Sequence, residues 1–70
     1  MSKHSIATKA SSMQKLEALL DRLKAHQREI ILEAAERDML PPDSMLRRIA
    51  ELENVIAAVE AVADEERHGA

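Results

Sequence analysis

The sequence has no cysteine, no phenylalanine, tyrosine or tryptophan, one glycine, and two prolines that stand side by side. Without thiols, disulfides and thiolate metal sites are excluded. Without aromatic rings, the chain has no platform for stacking bases and no aromatic wall for a ligand pocket. So little glycine and proline leaves few places for turns. No apolar run approaches the ~18 residues that a membrane span needs. The opening MSKHSIATKASS carries lysines but no apolar core of about 7–15 residues, so a secretory signal is not expected. The expected compartment is the cytoplasm.

What is present is helical. Seventy residues make at most one small domain, and 46% of them are hydrophobic, mostly Leu, Ile, Val, Met and Ala. A net charge of −3 is mild. It argues against a nucleic-acid binder driven by bulk electrostatics and leaves room only for a local basic patch.

Two helices follow from the punctuation. Ser11-Ser12-Met13-Gln14 fits a capping box, which starts helix 1 near Ser12. Ile6 and Ala10 extend the apolar spacing backwards, so residues 1–11 form either a tail or a helix extension. Helix 1 is expected over about 12–39, because a residue before proline leaves the α region and proline has no amide proton. Residues 40–42 form a proline turn. Helix 2 is expected over about 43–67, with Pro42 in its first turn and Asp43 and Ser44 beside the N-terminus. Arg67 and His68 suit its C-terminus, and Gly69 is the expected stop. The hairpin as a whole covers 12–68.

Apolar residues repeat with alternating steps of four and three. Helix 1 carries Leu16, Leu20, Leu23, Gln27, Ile30 and Ala34; helix 2 carries Met45, Ile49, Leu52, Ile56, Val59 and Ala63. This is the rhythm of a coiled-coil seam. The faces are wider than one seam. Leu19 lies on one flank of helix 1, Met13 and Ile31 on the other, and Val55 and Val62 stand beside Leu52 and Val59. At about 100° per residue the apolar face of helix 2 spans about 140°. One partner helix cannot cover that. The fold expected is all-α, an antiparallel two-helix hairpin that dimerises into a four-helix bundle.

Gln27 interrupts the helix 1 stripe. With the turn centred near Pro41 it is expected opposite Val55, where a buried amide specifies register or oligomeric state. A second copy could supply its hydrogen-bond partner. His26 stands beside it, one turn from Glu29 and two from Glu33. The spacing reverses the Glu-x-x-His order of helical di-metal sites, and helix 2 has no matching set. No metal site is assigned, and no cofactor. His26 is read as an edge histidine with a wet tip, and phosphotransfer at His26 rests on fold analogy alone.

Arg22, Lys24, Arg28, Arg37, Arg47 and Arg48 are interleaved with acids, as on a solvated face, and Glu33 and Arg37 form a favourable i, i+4 pair. Leu32, Met39, Leu40 and Leu46 gather near the turn and form a candidate partner patch. A hairpin dimer of this kind resembles, in outline, the plasmid RNA-binding regulators of the Rop type. The segment IAELENVIAAVEAV, residues 49–62, is similar in texture to the needle-subunit co-chaperones of type III secretion. Both likenesses are general and identify no family.

No nucleophile–base pair, phosphate loop or paired acid supports catalysis. The expected function is a non-enzymatic interaction module, homodimeric, acting as adaptor, co-chaperone or regulator on a protein partner. The alternative is an RNA- or DNA-binding regulator using the basic N-terminal segment and the arginine-bearing faces.

Overall fold

The computed structural model describes residues 2–68, with side chains described over 12–68. Among them are two helices, α1 (Ser2–Ala35) and α2 (Asp43–His68). Three cross-helix pairs show that they pack antiparallel as a hairpin: Glu17 with Arg67, Lys24 with Glu60, and Gln27 with Glu53. At about 1.5 Å per residue α1 is about 51 Å long and α2 about 39 Å, inside an overall extent of 56 × 16 × 16 Å. No helix among the described residues is long and apolar enough to cross a membrane.

At its start α1 follows the helix-extension alternative for the N-terminal residues, and at its other end it departs from the sequence expectation. The helix runs through Ser11 and Ser12, so their capping-box pattern does not start it. Serine inside a helix costs only about 0.5 kcal/mol relative to alanine, which continuing helix formers on both sides can offset. The side chains of Ile6 and Ala10, and of the basic N-terminal segment, lie outside the described residues, as does Gly69.

At its other end α1 stops at Ala35, not Met39. The seam explains this. Ala34 is the last apolar seam position, and the next, three residues on, is Arg37. Further helix would bring a charged residue to the contact face. The end is made by tightening: Glu36 N bonds to the carbonyls of both Leu32 and Glu33 at 3.2 Å, and Arg37 N to that of Ala34 at 3.2 Å. Such i to i−3 bonds satisfy orphan carbonyls without a left-handed residue, and no described residue has positive φ.

The connection therefore runs over 36–42, longer than the proline turn alone. Pro42 sits just ahead of α2 and not within its first turn. Its carbonyl accepts bonds from Met45 N at 3.0 Å and Leu46 N at 3.1 Å, which makes it the capping residue. Asp43 is then the first helical residue, where a carboxylate suits the dipole.

The core is thin. Only Ile30, Ile56 and Ala63 are buried among the described side chains, at 8%, 5% and 2% exposure. Leu16, Leu20, Leu23, Gln27, Ala34, Met45, Ile49, Leu52 and Val59 are half-buried along the same seam. One helix covers one stripe of its neighbour and no more.

Candidate interaction surfaces

The hairpin has two edges, one on each side of the seam, and they are unlike. One is laced by polar pairs. Lys24 Nζ lies 3.2 Å from Glu60 Oε2, Arg67 Nη2 lies 4.0 Å from Glu17 Oε2, and Gln27 Nε2 donates to Glu53 Oε1 at 2.8 Å. Their sequence spacing produces the ladder. Glu17 and Lys24 are seven residues apart on α1, and Glu53, Glu60 and Arg67 follow at sevens on α2. Heptad spacing returns a side chain to the same flank of a seam. Each ion pair is half exposed, so each stabilises by no more than about 1 kcal/mol. Their consequence is orientation: charges line this edge away from the hinge, and towards the hinge it carries Ile31 and Leu46, 45% and 41% exposed.

The other edge is apolar towards the open end of the hairpin and charged towards the hinge. Leu16, Leu19 and Val62 line a groove of about 430 Å³, with Ser12, Lys15 and Glu66 at its margins. Val62 and Val55 are each 45% exposed, and they too are seven residues apart. Nearer the hinge, Ile30 and Met45 line a second groove with Glu33, Ser44 and Arg48. The sequence shows the extra apolar width of both helices. What it does not show directly is that Leu19, Val55 and Val62 fall on one edge while the pairing charges fall on the other. The signal was the heptad spacing of the flanking residues, read for both helices together.

Gln27 is half-buried in the seam, as its place in the stripe implied. It does not face Val55. Besides Glu53, its Nε2 approaches the carbonyl oxygen of Ile49 at 3.5 Å, about a turn closer to the hinge than expected. The reach belongs to the side chain and not to a shifted register: Lys24 pairs with Glu60 and Glu17 with Arg67, on the other side of the expected level. The amide also has its partner within the same chain, so no second copy is needed to satisfy it.

His26 is exposed, and its Nδ1 lies 3.9 Å from Glu29 Oε1. Glu33 is turned to Arg37, 3.6 Å away, the i, i+4 pair expected from the sequence. Among the described residues no three histidine or carboxylate side chains gather as a metal-binding group. At the C-terminal end of α2, Asp64 lies 3.6 Å from Arg67 and 3.5 Å from His68.

The four residues of the candidate partner patch are all exposed, Leu40 and Met39 most of all at 85% and 78%. Both belong to the connection between the helices. Leu32 is on α1 opposite the seam, and Leu46 lies in the first turn of α2, in the same heptad stripe as Glu53 and Glu60. Compared with protein-family models, curated proteins and solved structures, the chain finds no match.

Proposed function

We propose that this chain is a non-enzymatic interaction module of the cytoplasm that works as a homodimeric four-helix bundle, in the role of a small adaptor, co-chaperone or regulator. The observation that carries the reading is the contrast between the two edges. Exposed Val55 and Val62, with half-buried Leu19, line one edge, while Glu17, Lys24, Glu53, Glu60 and Arg67 guard the other. A hairpin in which three of the described side chains are buried gains most by covering such a face, since small domains need a partner or a staple.

The exposed leucine and methionine side chains at the hinge then remain for a protein partner. The nucleic-acid reading has less behind it. Lys24, Arg37 and Arg67 each stand within 4.0 Å of a carboxylate, where a phosphate groove needs contiguous unpaired cations. Sedimentation of the whole chain at micromolar concentration tests the proposal. A two-chain mass supports it, and a one-chain mass overturns it.

A further inference from the structure

We infer that a second copy of the chain covers the apolar edge with its hinge at the same end, so that α1 of each copy lies beside α2 of the other. The inference rests on the homodimer reading and adds the arrangement. Its basis is the order of residues along the edge. On α1 the sequence at intervals of seven is Leu19, His26, Glu33; on α2 it is Arg48, Val55, Val62. Shared grooves fix their levels along the hairpin. Leu19 is level with Val62, and Lys15 with Glu66, towards the open end. Glu33 is level with Arg48, towards the hinge. The edge thus has an apolar half and a charged half, and in the charged half the two helices carry opposite signs.

Two twofold arrangements can cover it. With the axis along the bundle, hinges share one end and each helix meets the other kind of helix at its own level. Leu19 then meets Val62 of the second copy, Glu33 meets Arg48, and Lys15 meets Glu66. Apolar meets apolar, and acid meets base. Among the described residues Lys15, Arg48 and Glu66 belong to no ion pair within 4.0 Å, while Glu33 is paired with Arg37 at 3.6 Å and exposed, so Arg48 would share its carboxylate.

With the axis across the bundle, hinges lie at opposite ends and each helix meets its own copy. His26 is seven residues from both Leu19 and Glu33, and Val55 is seven from both Val62 and Arg48. Centring the overlap there sets Leu19 against Glu33 and Val62 against Arg48. Four charged groups would be desolvated against aliphatic side chains, which is unfavourable. Sliding the copies to match the apolar halves would leave the hinge half of the edge uncovered. Both arrangements give every helix two antiparallel neighbours, so the macrodipoles do not distinguish them and the side-chain order along the edge does. The first arrangement places Met39 and Leu40 of both copies at one end, as a joint surface.

Because the chain has no cysteine, introduced ones read out the arrangement. Leu19→Cys and Val62→Cys chains, mixed under a glutathione redox couple, should give a disulfide-linked heterodimer. Its yield should exceed at least tenfold that from Leu19→Cys mixed with Glu33→Cys. The reverse preference, or no linkage in either mixture from a protein of two-chain mass, overturns the arrangement and leaves the homodimer standing. A one-chain mass for the unmodified protein overturns both. An independent readout uses the charges: Glu33→Arg and Arg48→Glu should each weaken self-association about tenfold, and mixing the two should restore it. If mixing restores nothing, Glu33 and Arg48 do not face each other across copies.

Discussion

Gln27 Nε2 and Glu53 Oε1 are joined by a 2.8 Å hydrogen bond across 26 residues of sequence, from a seam position of α1 to the polar edge of α2. The contact ties the register of the hairpin to a single amide. Its partner Glu53 is exposed and can be hydrated if the amide is lost. Gln27→Leu should therefore raise stability by about 1 kcal/mol, since a polar group leaves the seam and methyl groups enter. It should also relax the register, because nothing then penalises a shifted alignment. Denaturant melting reads the first effect and the number of amide resonances reads the second. A variant with no added stability and one sharp set of resonances would show that Gln27 specifies nothing.

The hairpin was legible in the sequence because the four–three apolar rhythm of Leu16 to Ala34 and Met45 to Ala63 has one economical solution. The end of α1 was not. Pro41 and Pro42 announce where a helix must already have stopped, whereas Ala35 is set by the absence of an apolar residue at position 37. That is a tertiary condition. The amide of Gln27 reaches Glu53 and approaches Ile49, hinge-ward of Val55, which is a matter of side-chain reach that no helix pattern displays. Residues of the seam were readable one helix at a time. The polar ladder needed both helices at once, since neither Lys24 nor Glu60 identifies its partner alone.

The two edges should respond differently to substitution. Lys24→Ala removes a half-exposed ion pair and should change stability by less than about 1 kcal/mol, with no change in mass. Val62→Glu places a carboxylate on the apolar edge and should lower self-association strongly. Sedimentation of the two variants side by side checks this. Equal behaviour would mean that the edges are not functionally distinct.

His26 and its neighbours offer a test for metal chemistry. Its imidazole and the Glu29 carboxylate are 3.9 Å apart and exposed, and Glu33 is engaged with Arg37. Zinc should show no stoichiometric binding by calorimetry, and it should not raise the melting temperature. Zinc retained through dialysis, and lost in His26→Ala, would contradict the edge reading of this histidine.

At the hinge, Leu40 is 85% exposed and buries little within the hairpin. Leu40→Ser should leave stability within about 0.5 kcal/mol of the parent chain and leave the sedimentation mass unchanged. A clear loss of stability or of mass would move Leu40 from the partner surface into the assembly itself.

The central claim is that the apolar edge of Leu19, Val55 and Val62 is covered by a second copy. The most direct measurement is the melting temperature of the unmodified chain over a hundredfold range of concentration. Coupled folding and association predict that it falls steadily on dilution, because mass action favours the separated chains. A melting temperature constant across that range, with a one-chain mass throughout, would contradict the account.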